Sequence, residues 1–472
     1  MRARLRPPGP PELYVLAGLA ALTRFWTLFS PWAVVFDEVH YEKFVADYLG
    51  RVFYVDVHPP LANQIFMLWA RLMHVGIPTL AGPHPAPAMR VVPALAGTLI
   101  IPVFYLLLRQ LGAPRVLATL GGLLLLLDNA LLAESRVLVP DALLILFNLG
   151  AVTCFLSARG RGGRDRWARL AGAALFAGLA VSIKWTGLSA LGLIGLVWLA
   201  DVRRERPPRR RWAGEGALLL AVPVALYVAV FAVHFARLTH YGRGAMFMPG
   251  AFKATLVGSP SYDPRVRVSF PRKFLDLNYA MRQVDASLVG TDTVAASPWY
   301  SWPLIERAID FWSGPRGADG RQASIFLEGN PVLWYGIPLA LVIAGVGLYR
   351  RRARFRAWRD PMAVLAAGYL INFLPFVLIQ RVMYQYSYFM AFLYSLALAV
   401  VATGAWTGEA GAGGGAGTGG GWSWPGGSRA RWYYGILMLA VAGFVWFAPL
   451  TYGWPLSQRS FELRFWIVTR HF

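Results

Sequence analysis

The sequence predicts an all-α integral membrane protein with about eleven transmembrane helices. Of 472 residues, 57% are hydrophobic and only 15% charged, with a mean hydropathy of +0.46, which is far more apolar than an ordinary soluble chain. The apolar residues are gathered into runs close to the roughly 20 residues that cross a hydrocarbon core about 30 Å thick. The runs do not alternate apolar with polar residues, as the strands of a membrane barrel must.

In chain order the runs are 12–32, 93–109, 115–132, 138–157, 170–183, 185–200, 215–236, 332–349, 361–380, 386–405 and 431–451. No small-residue cleavage site follows the first, so it is expected to be retained as a helix. The organisation divides into an amino-terminal membrane module (1–236) whose first external loop is 33–92, a long external segment of short helices (237–331), a carboxy-terminal membrane module (332–451), and an external tail (452–472). Within the last module, 407–428 is a Gly-rich flexible linker without phosphate-loop spacing.

The net charge of +22 is concentrated in short loops such as "RRERPPRRR" (203–211) and "RRRARFR" (350–356). This is the positive-inside pattern, placing the amino terminus in the cytoplasm and favouring contact with anionic lipid. It argues against nucleic acid as the partner. The basic residues are almost all Arg, pointing to a GC-rich bacterial genome and hence to a bacterial plasma membrane. The single cysteine, Cys154, excludes an intrachain disulfide and a Cys-rich metal site.

This topology gathers the unusual polar residues at one face. Asp37, Glu38, His58, Arg90, Glu134, Ser135, Arg136, Asp141, Lys184, Ser297, Trp302, Glu328, Asn330, Arg381 and Tyr384 all fall outside or within about a turn of that side. Ionisable residues at membrane depth are costly and mark functional sites, so an extracytoplasmic active site is expected. Locally, Asp37 reads either as the N-cap of a helix ending near Gly50 or as a free carboxylate with work to do. The stretch 270–284 is amphipathic and suits the membrane surface or packing on the bundle. The aromatics of "SPWYSWPL" (297–304) are interface anchors or walls of a sugar site.

"FDEVHY" (36–41) followed by "HPPL" (58–61) resembles the first external loop of the protein O-mannosyltransferase family, membrane glycosyltransferases that use a lipid-phosphate sugar donor. "MRVVPALAGTL" (89–99), "DNALLAESRVLVPDALL" (128–144), "SIKWTG" (182–187), "SPWYSWPL", "EGNPVLWY" (328–335) and "RVMYQYSYF" (381–389) match in order, so the resemblance runs from about residue 12 to 450. It departs in three places. The large β-rich luminal insert is absent, "VGTDTVAA" (289–296) stands where family members often have His-Pro, and Tyr386-Ser387-Tyr388 replaces a Tyr-His-Tyr-like run.

The resemblance implies a GT-C type architecture and transfer of mannose, with inversion, from polyprenyl-phosphate-mannose to Ser or Thr hydroxyls of exported proteins. Asp37 is then the base, and Glu38 with Arg90 the pair that supports it. His58, Arg136, Lys184, Arg381 and Tyr384 are expected to bind donor phosphate or sugar. His58 alternatively fixes the Pro59-Pro60 turn, and the cations alternatively snorkel at the interface. Asp141 and Glu134 are expected to orient Arg136, and Asp141, Trp299, Trp302 and Asn330 to wall the substrate site.

No Asp-x-Asp occurs in the chain, which favours a lipid monophosphate donor and a reaction needing no cofactor. Asp37, Glu38 and His58 nonetheless form a possible hard-ligand set for Mg²⁺ or Zn²⁺. Expected partners are the donor, acceptor proteins, membrane lipids and the export machinery. The rival readings are an aminoarabinose-type transferase acting on a lipid acceptor, and a transporter. The latter should show internal repeats, which the sequence lacks.

Overall fold

The computed structural model describes residues 10–75, 85–289, 295–409 and 427–465. Most of the Gly-rich linker, the segment carrying "GTDT" and the end of the tail therefore lie outside the described residues. A helix stands at each of the eleven apolar runs, and eight are long and apolar enough to cross a membrane.

The chain enters through α1 (Pro11–Phe25) and passes into the long loop 33–92, which folds as α2 (Glu38–Gly50), α3 (Leu61–Leu72) and α4 (Ala86–Met89). There follow α5 (Val91–Gln110), α6 (Arg115–Leu126), α7 (Asn129–Glu134), α8 (Asp141–Ala158), α9 (Gly163–Val181), α10 (Leu188–Glu205) and α11 (Arg209–Arg237). The run expected at 115–132 is broken because Asp128 caps a new helix, its carboxylate accepting from the backbone N–H of Leu131 at 2.8 Å. That break puts Glu134 at the end of α7 and Ser135 and Arg136 on the buried turn that follows it. Close packing of α9 on α11 depends on Gly178, where a Cβ would stand 2.9 Å from the Pro223 Cα.

The segment 237–331 contains α12 (Gly250–Lys253) and α13 (Phe270–Ala286). The latter packs on α11: Leu277, Ala280 and Met281 are buried, Phe274 lies 5.2 Å from Phe231, and Tyr227 donates to Asn278 Oδ1 at 2.7 Å. Leu275 and Tyr279 stay exposed.

The expectation of helices and loops alone is corrected by an antiparallel hairpin, β1 (Ile309–Arg316) and β2 (Gln322–Leu327). Its register pairs Ile309 with Leu327 and Ser313 with Ser324. Ile309 and Phe311 are buried on either side of exposed Asp310, which gives the start of the strand one core-facing side. The second membrane module comprises α14 (Pro331–Arg350), α15 (Arg352–Arg356), α16 (Arg359–Phe373), α17 (Phe389–Thr407) and α18 (Ser428–Tyr452), followed by α19 (Gln458–Glu462). Helices α5, α8 and α17 are buried along most of their length and supply much of the hydrophobic core.

Candidate active site

Asp37 occupies the N-cap position of α2 but its side chain makes no cap bond, which disposes of the cap reading. Among the described residues no side chain pairs with this carboxylate. Its direction is set by Phe36, which adopts a left-handed φ of 50°, a conformation costly for a bulky residue and held only by its surroundings. Those surroundings are β1: the Phe36 N–H donates to Phe311 O at 2.8 Å and the two rings stack at 4.5 Å. Burial raises the Asp37 pKa above its ordinary value and Asp141 adds to this, while His40 and Lys184 oppose it.

Beside it, Glu38 and Arg90 form the expected ion pair. Arg90 Nε and Nη2 reach Oε1 and Oε2, each at 2.7 Å, inside the protein. The remaining capacity of both groups is used. Glu38 accepts from the backbone N–H of Val35 and of Leu138, both at 2.9 Å, and Arg90 donates to Pro31 O at 2.9 Å and Ala33 O at 2.7 Å. One buried pair thus ties the loop before Asp37 to α5 and to the turn before α8.

After His40, the cation that acts on Asp37 is Lys184. Its ammonium binds both oxygens of Asp141, at 2.8 and 2.7 Å, and lies 5.4 Å above the Tyr386 ring. Two of its three donors are thereby used, leaving one for another acceptor. His58 is influenced by the same ammonium: burial, Lys184 and Arg381 together hold its pKa well below normal, so the imidazole is neutral at pH 7. Arg381 is half-exposed and pairs with Asp285 at 3.1 Å. Glu134 is buried with Oε2 unpartnered, and its pKa is pushed well up by burial and by Asp141.

Several expected site residues have other employment. Arg136 does not face this cluster: it donates to the carbonyls of Arg24, Trp26 and Thr27 and stacks on Tyr452 at 4.7 Å, so it clamps the open end of α1. Neither acid pairs with it, since Asp141 is bound to Lys184. Asn330 is no substrate wall. It caps α14 by accepting from Val332 N, and donates to Leu127 O at 2.9 Å and Ala440 O at 2.8 Å in full burial. Trp302 is also core, its Nε1 donating to Ser297 Oγ at 3.0 Å and its ring meeting Phe376. Trp299 packs on Phe373 at 5.0 Å, and Tyr384 stacks on Tyr386 at 5.4 Å. Because Glu38 is committed to Arg90, the set Asp37, Glu38 and His58 is not assembled for a metal. Among the described residues no group of three His, Cys, Asp or Glu side chains is arranged to hold one.

Two residues stood outside the expected site set. Tyr386, singled out by the sequence only as part of a run that departs from the family's, lies under Lys184 and 6.2 Å from Phe36. Asp56, two residues before His58 and enclosed beside Lys184, has its pKa raised by burial to about 6. An acid so close to two prolines was the available signal.

Residues 14–239 match the family model described as dolichyl-phosphate-mannose-protein mannosyltransferase, and residues 270–470 that of the C-terminal four-transmembrane region of protein O-mannosyltransferase. Protein O-mannosyltransferase 1 of Drosophila pseudoobscura pseudoobscura is 34% identical over 51% of this chain, which spans only 28% of that relative. A polyprenol-phosphate-mannose–protein mannosyltransferase of Mycolicibacterium smegmatis is 26% identical over 96% of this chain and 91% of its own length. In structure, the Saccharomyces cerevisiae protein O-mannosyltransferase Pmt1-Pmt2 complex bound to its sugar donor superposes with a TM-score of 0.83, at 18% identity, covering 97% of this chain and 92% of that one. With both modules matched in order and the helical GT-C fold shared from end to end, the chain belongs to the protein O-mannosyltransferase family.

Proposed function

We propose that the protein transfers mannose from polyprenyl-phosphate-mannose to Ser or Thr hydroxyls of exported proteins, at the extracytoplasmic face of a bacterial plasma membrane. The observation that carries this is the unpaired Asp37 carboxylate, held on a loop fixed by Glu38–Arg90 and electrostatically coupled to Lys184. The name and near-complete coverage of the mycobacterial relative support the donor and acceptor.

In this reading the acceptor hydroxyl oxygen bonds to the anomeric carbon as the carbon–phosphate oxygen bond breaks on the opposite face. Asp37 takes the hydroxyl proton. The lipid phosphate departs as a monoester, and its charge is met by the spare Lys184 donor, by Arg381 and by a neutral His58 N–H. No second carboxylic acid is needed to protonate such a leaving group, unlike glycoside hydrolysis. Glu38 and Arg90 support Asp37 by fixing its loop.

The test uses purified protein in lipid, polyprenyl-phosphate-[³H]mannose and a Ser/Thr-rich peptide. Peptide labelling by the parent that collapses in folded Asp37→Asn is expected. Label appearing on lipid alone would instead favour a lipid-acceptor enzyme of the aminoarabinose type, and no labelling in the parent would remove the mannosyl-transfer reading.

A further inference from the structure

The turn that carries His58 has few donors with which to anchor itself, because Pro59 and Pro60 lack backbone N–H groups. Asp56 fills that gap. Its Oδ2 accepts from Asn63 Nδ2 at 3.2 Å, on the first turn of α3 just beyond the prolines. The backbone N–H groups of His58 and Val57 also favour its charged form.

The same Asn63 Nδ2 donates to Tyr54 OH at 3.0 Å, and Tyr54 packs edge to face on Tyr48 at 5.6 Å. Tyr48 OH in turn bonds His234 Nδ1 at 2.9 Å and accepts from Gln64 Nε2 at 3.1 Å. This buried polar chain runs from α11 to the turn. On its other side the turn is tied to the strand of chain leading into Lys184, through Leu61 N donating to Ser182 O at 3.1 Å.

We propose that Asp56 is a positioning residue for donor binding: by anchoring the Val57-His58-Pro59-Pro60 turn to Asn63, it holds the His58 imidazole facing Lys184 and Arg381, where a lipid-linked phosphate docks. It acts through His58 and does not itself touch the phosphate, which its own charge would repel. This inference rests on the phosphate-binding role given to His58 above.

The experiment reads binding of undecaprenyl [³²P]phosphate, without sugar or acceptor, to the parent, Asp56→Ala, His58→Ala and the double variant in nanodiscs. Each single change is expected to weaken binding by roughly tenfold, the scale of losing an orienting partner. The double variant should bind no more weakly than His58→Ala, since Asp56 has nothing left to aim. Asp56→Asn, which keeps an acceptor oxygen, should retain most of the affinity; should Asp56→Ala not fold, Asn63→Ala removes the same anchoring bond from its donor side and supplies the cycle with His58→Ala. Penalties that multiply in the double variant, parent-like binding by Asp56→Ala, or a parent that does not bind the phosphate lipid would each overturn the proposal. A parent that binds the lipid but labels no peptide would instead defeat the proposed transfer reaction while leaving Asp56 its role.

Discussion

Glu38 and Arg90 meet through two bonds of 2.7 Å with side chains 0% and 2% exposed. Between them they hold Val35, Leu138, Pro31 and Ala33. Removing one partner strands a buried charge, so Arg90→Ala is expected to cost about 3–5 kcal/mol. Thermal unfolding in detergent checks this; an Arg90→Ala protein that melts with the parent would show the pair to be dispensable.

For Asp37 stability and activity are expected to part. Its pKa is raised in the fold, chiefly by burial, so the stability it contributes is complete below the unfolded value and is lost as pH rises through the folded one. At pH 7 Asp37→Asn should therefore melt no lower than the parent, while transfer falls by roughly 10²–10⁴. The parent's rate should decline on acidification at a pH above that of an ordinary aspartate, because the base works only ionised. A pH–rate profile flat down to the ordinary aspartate range would contradict the assignment.

Arg136 and Lys184, both expected from sequence to bind phosphate, should now behave differently. Arg136→Lys loses the fork that holds three carbonyls of the first span. It should lower the melting temperature and leave phosphate-lipid affinity of the folded fraction unchanged. Lys184→Met should weaken that affinity at least tenfold. Equal affinity losses in the two would restore Arg136 to the site.

Asn330 offers a purely structural comparison. A Cβ at Gly443 would collide with its Oδ1, and Asn330→Leu would leave the buried Leu127 carbonyl, at the end of α6, without its donor. An unsatisfied group costs about 1–3 kcal/mol, so Gly443→Ala and Asn330→Leu should both reduce thermal stability. The Michaelis constant for donor should stay put in either; a selective rise in it would return Asn330 to the substrate site.

The membrane helices were legible because hydrophobic length is a local property of sequence. Glu38 with Arg90 was legible only through the family resemblance, since nothing local joins two positions 52 residues apart. Arg136 misled because an external-face Arg reads alike whether it faces phosphate or three open carbonyls of a helix end. Asn330 misled in the same way, since an N-cap buried among other helices reads as a polar site residue until its neighbours are known. The hairpin was missed because its segment carries a Gly-rich, charged turn, "GADGR" (317–321), between two short strands. Short strands give little periodicity. Asp56 was overlooked because its importance lies in what it holds still.

The Phe36–Phe311 stack joins positions 275 residues apart, 311 minus 36, and Lys184 over Tyr386 likewise joins one membrane module to the other. The two halves of this chain therefore cannot be inherited independently. A hybrid that took its second half from a distant relative would receive a complete set of first-loop residues and still lack the contact that aims Asp37.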